Sequence, residues 1–133
     1  MGAKQKALII TDGTESIMSI AKTISDELAD FSVSICPAEN LDGTDLLSAE
    51  LFFLGCENSG PSSFAYIEEM LSHINLASRK CGVFSVNEKP LEYLRCILKD
   101  SEADFGEPLF ITDANNHADN VKAWIREKSL TGR

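Results

Sequence analysis

Two short, unbroken apolar runs constrain this chain most: Ala7-Leu8-Ile9-Ile10 and Leu51-Phe52-Phe53-Leu54, each bounded by glycine or polar turn residues. Side chains of a strand alternate between faces, so an unbroken run has no wet face to offer. It suits a strand buried on both sides, as in a parallel sheet covered by helices. Phe31-Ser32-Val33-Ser34-Ile35 alternates strictly instead, which predicts an edge strand with one wet face. Val83-Phe84-Ser85-Val86 reads as another central strand. Leu109-Phe110-Ile111 follows Pro108, and a proline at a strand start is tolerated best at a sheet margin.

Helical stripes fall between these runs. Ile17, Ile20, Ala21, Ile24 and Leu28 recur at three- and four-residue steps, and so do Phe64, Ile67, Leu71 and Ile74 behind Pro61. Leu91, Leu94 and Leu98 follow Pro90, and Ala118, Val121, Trp124 and Ile125 form the last stripe. From Pro37 to Ala49 only Leu41, Leu46 and Leu47 punctuate the polar residues, which predicts a short or irregular helix. Alternating strands and helices imply right-handed crossovers with helices on both sheet faces. The expectation is a doubly wound α/β sandwich of three layers, spanning residues 1–133 as one domain. Its five parallel strands take the order 2-1-3-4-5. Ligands of such sheets bind at the carboxyl ends of the strands, at the switch point between strands one and three.

Charge narrows the partners. With 12 Lys+Arg against 21 Asp+Glu the formal net charge is −9, which argues against nucleic acid and anionic membrane, since both reward clustered cations. It suits docking onto a basic protein surface, or simply solubility. No apolar run approaches the roughly 20 residues needed to span a bilayer. Met1-Gly2-Ala3-Lys4-Gln5-Lys6 lacks the apolar core of a signal peptide, so a cytoplasmic location is expected.

Cys36, Cys56, Cys81 and Cys96 form no CxxC pair and have no histidine at zinc-ligand spacing; His73 and His117 stand alone. The expectation is four small, mostly buried hydrophobes, with no metal site and no disulfide. Cys36 and Cys56 end strands separated by strand one, roughly 9–10 Å apart, too far to bridge. Cys56 would need a nearby cation to be reactive, and Glu57 beside it argues against that.

The candidate site is the set of loops after the strands. Loop one is Thr11-Asp12-Gly13-Thr14-Glu15-Ser16, loop three Gly55-Cys56-Glu57-Asn58-Ser59-Gly60, loop four Val86-Asn87-Glu88-Lys89 and loop five Thr112-Asp113-Ala114-Asn115-Asn116. Loop one offers hydroxyls, a glycine and free N–H groups at a helix start, the ingredients of an anion cradle. Its other reading is a capping box, with Asp12 and Glu15 satisfying the first-turn donors. Asn58, Asn87, Asn115 and Asn116 suit either a ligand's polar edge or ordinary turns.

The run KALIITDGTESIMSIAKTISDEL, Lys6 to Leu28, resembles the first strand, phosphate loop and first helix of flavodoxins. ELFFLGCENSG, Glu50 to Gly60, resembles their third strand and following loop, and Leu91-Glu92-Tyr93-Leu94-Arg95-Cys96 the start of their fourth helix. The resemblance implies noncovalent flavin mononucleotide (FMN) binding and single-electron transfer between redox partners. The phosphate would lie on Thr11, Asp12, Gly13, Thr14, Glu15 and Ser16, held by the amides of Gly13 to Ser16. The isoalloxazine would lie between Cys56, Glu57, Asn58, Ser59 and Gly60 on one side and Val86, Asn87 and Glu88 on the other. A redox partner with a basic docking surface would follow, met by a monomer or weak homodimer.

Aligned on Gly13, the family's hydroxyl positions hold Ile10, Asp12 and Glu15, its ring-stacking position in loop three holds Ser59, and loop four has no aromatic residue. These departures support a second expectation, a flavodoxin-fold protein that has lost the flavin and binds a partner. A phosphorylated receiver shares the strand order but needs an Asp after strand three and a Lys after strand five, where Cys56-Glu57 and Thr112-Asp113 stand. A dinucleotide site needs more glycines than the one in loop one.

Overall fold

The computed structural model describes residues 5–76, 79–99, 101, 103, 108–112 and 117–126. Parallel strands β1 (Gln5–Thr11), β2 (Phe31–Pro37), β3 (Leu51–Gly55), β4 (Lys80–Ser85) and β5 (Leu109–Phe110) form a sheet in the order β2-β1-β3-β4-β5. This is the expected order. β1 pairs with β2 from Gln5↔Phe31 to Thr11↔Pro37 and with β3 from Ala7↔Leu51 to Thr11↔Gly55.

Helices α1 (Glu15–Glu27), α2 (Gly43–Ser48), α3 (Ala65–Leu71), α4 (Glu88–Lys99) and α5 (Ala118–Ile125) fill the connections. They sort by face because strand side chains alternate. Ala7, Ile9, Leu51, Phe53 and Phe84 meet Ile17, Ile20 and Ile24 of α1 and Val121, Trp124 and Ile125 of α5. Leu8, Ile10, Phe52, Leu54 and Val83 meet Leu46 of α2, Ile67 and Leu71 of α3, and Leu91, Leu94 and Leu98 of α4. The runs that alternate nowhere in hydropathy therefore feed two cores at once, each fully buried aliphatic contributing about 1.5–3 kcal/mol. At Gly82 the first core presses directly on the sheet: a Cβ there would lie 2.6 Å from the Trp124 ring and 2.8 Å from that of Phe53.

Some expectations shift. Ala118 is exposed, because it opens α5 before the helix reaches the sheet; the buried stripe is Val121, Trp124 and Ile125. Phe64 sits in a separate 3-10 turn (Ser62–Phe64), and Ile74 lies beyond the end of α3, half-buried. β4 starts at Lys80 to match Leu51 and stops at Ser85, leaving Val86 in the loop. Ile111 falls outside β5, yet its amide still donates to the Ser85 carbonyl at 2.9 Å. The connection from Pro37 to Ala49 is irregular as expected: a 3-10 turn (Ala38–Asn40), then α2. So brief a helix leaves Ser32 and Ser34 of β2 exposed, the wet face the alternation predicts. Asp113, Ala114, Asn115 and Asn116 of loop five lie outside the described residues.

Candidate functional site

β1 delivers loop one between α1 and β3. Thr11, fully buried at the strand end, accepts from the Gly13 amide at 3.3 Å through Oγ1 and donates to Met18 Sδ at 3.3 Å. The chain then reverses through Gly13 at φ +82°, a conformation that disfavours any side chain. Asp12 Oδ1 accepts from the Thr14 amide at 3.1 Å and the Thr14 hydroxyl at 2.7 Å. Its other oxygen, Oδ2, accepts from the Glu57 amide at 2.7 Å, 45 residues away. The capping box is not formed. Thr14, not Asp12, is the N-cap, and exposed Glu15 begins α1 without reaching back.

Glu57 ties the site together. Its Oε1 accepts from the Ser16 hydroxyl at 3.1 Å, and its carbonyl accepts from Asn87 Nδ2 at 2.8 Å. Beneath it the Ser85 hydroxyl donates to the Cys56 carbonyl at 2.6 Å and accepts from the Asn87 amide at 3.1 Å. Loops one, three and four are thus joined through one backbone turn. Ser85 was missed in the sequence; its signal is a lone hydroxyl closing a strand buried from Cys81 onward. Asn87 is brought into the site, but as a tie between loops.

Between loops three and four lies a cleft of about 660 Å³ lined by Glu57, Asn58, Ser59, Asn87, Glu88, Lys89 and Pro90. Asn58, Ser59, Gly60 and Glu88 are exposed around it, while Val86 is half-buried and packs towards the first core. Among the described residues no aromatic side chain lines it. Tyr93, the nearest aromatic in sequence, packs its ring on Phe64 with centroids 6.3 Å apart and donates its hydroxyl to Glu68. Burial, and then Glu68, push the Tyr93 hydroxyl well above its usual pKa.

The cleft and loop one can be tested against a flavin phosphate. Of the four amides from Gly13 to Ser16, those of Gly13 and Thr14 are already bonded, to Thr11 and Asp12. Only the Glu15 and Ser16 amides carry no hydrogen bond among the described residues, and the Ser16 hydroxyl is taken by Glu57. An incoming dianion would meet two carboxylates at the positive end of α1, which they already neutralise. Like charge brought that close is repelled. Loop one as folded does not fit a phosphate.

The cysteines are unequal: Cys56 and Cys81 are buried, Cys36 is half-buried, and Cys96 is exposed on α4, contrary to the expectation of burial. Cys96 occupies an outward position of a helix whose inner stripe is Leu91, Leu94 and Leu98. The Cys56 thiol is pushed up to about 12 by burial and then by Asp12, so it stays a thiol at neutral pH. No group of three or more His, Cys, Asp or Glu that could hold a metal occurs among the described residues. His117 is not isolated: it is buried, and its Nε2 lies 2.9 Å from Thr23 Oγ1, linking α5 to α1. No helix among the described residues is long and apolar enough to cross a membrane.

No family model and no curated protein matches this chain. Solved structures do. A flavodoxin of Streptococcus pneumoniae TIGR4 superposes with a TM-score of 0.78 at 17% identity, covering 92% of this chain and 96% of its own. Flavodoxin 2 from Bacillus cereus gives 0.75 at 22%, covering 92% and 99%. A short-chain flavodoxin associated with a non-canonical PDU bacterial microcompartment gives 0.73 at 13%, covering 96% and 100%. Strand order, the two-faced core and these near-complete superpositions agree: the chain has the flavodoxin-like fold.

Proposed function

We propose that this protein is a flavodoxin-fold partner-binding module whose loop-one anion site is filled by its own carboxylates. One observation carries the reading: the Asp12 carboxylate accepts three hydrogen bonds, two from Thr14 and one from the Glu57 amide, where an exogenous phosphate would need those donors. The side chain does chemically what a bound anion does, satisfying the turn and neutralising the α1 dipole. The acidic balance, −9 overall, then favours a protein partner with a basic docking surface. We take the protein to work in the cytoplasm as a monomer or weak homodimer.

The test is a visible absorption spectrum of the purified protein, alone and with excess FMN. A colourless preparation that leaves FMN absorption and fluorescence unchanged supports the module. A yellow preparation, or one that quenches added FMN, overturns it in favour of a flavodoxin-type electron carrier. That second reading is favoured by the cleft of about 660 Å³ at the expected carboxyl edge and by the flavodoxins that superpose on the chain. It requires Glu57 to release Ser16.

A further inference from the structure

The far edge of the sheet is built differently from the flavin-side loops. Among the described residues β2 pairs on one side only, with β1, in an unbroken register from Phe31 to Pro37. Natural edge strands are blunted by charge, bulges or brevity. β5, the other edge, is two residues long, whereas β2 is seven residues of FSVSICP with no charged side chain among them. The direction of its free groups follows from the ladder. The Lys6 carbonyl accepts from the Glu50 amide on the β3 side. In a parallel strand, successive residues turn their backbone groups to opposite sides. Ala7 and Ile9 therefore face β2, bonding Ser32, Ser34 and Cys36, and Val33 and Ile35 turn their N–H and C=O outward. The Phe31 amide agrees, donating to Leu28 and not to β1.

A groove of about 190 Å³ lies over the sheet face at this margin, lined by Ser32, Ser34 and Cys36 of β2, Lys6 and Leu8 of β1, and Asp45 and Ser48 of α2. It exists because α2 stops before covering β2. Exposed acids bracket the strand: Asp30 immediately before it, and Glu39, Asp42 and Asp45 after it. Lys6 is the basic side chain in the groove.

We propose that β2 is a strand-addition site that accepts an extended peptide segment with small or β-branched residues at its centre and lysine or arginine at both ends. The outward groups of Val33 and Ile35 supply main-chain hydrogen bonds, as in other strand-addition sites, and the groove takes alternate side chains. The acidic brackets select the basic flanks. A second copy of this chain is the wrong occupant, since antiparallel β2 pairing would set Asp30 of one copy near Glu39 of the other, between bodies of charge −9. The proposal is independent of whether the carboxyl-edge loops hold flavin.

The experiment uses the full chain and a fluorescent peptide of about nine residues, alternating Val and Thr with two lysines at each end. Expected is saturable anisotropy, with amide shifts in ¹⁵N spectra confined to residues 6–8, 30–39 and 42–49, the strand, its acidic brackets and the groove. A glutamate-flanked peptide should bind at least about tenfold more weakly, and Asp30→Lys with Glu39→Lys should reverse that preference. Methylating alternate peptide nitrogens keeps the charge but removes the ladder donors, and should abolish binding. Ser34→Lys, at an exposed position, should weaken it by filling the groove. Equal binding of the methylated peptide, shifts centred on the loops after β1, β3 and β4 in place of β2, self-association in place of peptide capture, or no binding below about 1 mM would each overturn the proposal.

Discussion

Removing the Asp12 carboxylate should loosen three loops at once. Hydrogen bonds to a charged acceptor contribute about 1.5–3 kcal/mol when buried. Asp12 is only half-buried, and the two Thr14 donors are local and rehydrate readily, so they count together as about 1 kcal/mol. The Glu57 amide, 2.7 Å from Oδ2, joins segments far apart in sequence and counts as about 1.5 kcal/mol. Asp12→Ala should therefore cost about 2–3 kcal/mol. Asp12→Asn keeps the Oδ1 acceptor for Thr14 but turns an NH₂ on the Glu57 amide, and should cost about 1.5 kcal/mol. For a chain this size that corresponds to roughly 8–12 °C and 6 °C in melting temperature. Thermal melts by circular dichroism, with urea titrations at unchanged m-value, give both numbers. Amide exchange at Glu57 should accelerate in both variants while Phe53 stays protected. If Asp12→Ala melts with the wild type, Asp12 ties nothing together and the self-filled site is wrong.

Other perturbations follow from the same contacts. Asp12→Thr with Glu15→Thr, which brings loop one to the family's hydroxyl pattern, should raise FMN affinity about tenfold or more by removing like charge; unchanged fluorescence quenching would show that phosphate never docks there. Gly82→Ala should destabilise by about 2–3 kcal/mol, because its Cβ would drive into Trp124 and Phe53; a neutral urea midpoint would refute that packing. With a thiol reagent at pH 8, Cys96 should react in the folded protein while buried Cys56 and Cys81 wait for unfolding; rapid labelling of all three would contradict the burial. Cys56 binds its proton more tightly folded (about 12) than as an ordinary unfolded thiol (about 9), so its contribution holds below pH 9 and is lost as pH rises towards 12. Tyr93 acts in the same sense. Cys56→Ala should therefore flatten the alkaline decline in stability, and a parallel decline in both proteins would count against it.

The fold was legible in the sequence because burial on two faces leaves a mark that local context cannot mimic. Leu51-Phe52-Phe53-Leu54 has no wet position, and that alone placed it at the sheet centre. Spacing also found the α1 and α4 stripes. It failed at Ala118, where position on a helix tells less than how far the helix has travelled towards the sheet; Cys96 was read from residue type alone, although the α4 stripe already leaves it facing outward. The site was legible only in its membership. Asp12, Glu57 and Asn87 were all candidates, yet Asp12 with Glu15 matched a local capping box as well as it matched an anion cradle. Its actual partner, the Glu57 amide, is set by β1 lying beside β3, a tertiary fact with no local signature. Ser85 was hidden for the same reason.

The central claim concerns the four amides from Gly13 to Ser16, and ¹H–¹⁵N spectra of the wild-type protein titrated with FMN read them directly. A self-filled loop predicts that the signals of Gly13, Thr14, Glu15 and Ser16 stay in place through a large excess of FMN. Saturable movement of those four signals, with bleaching of FMN fluorescence at matching concentrations, would contradict it.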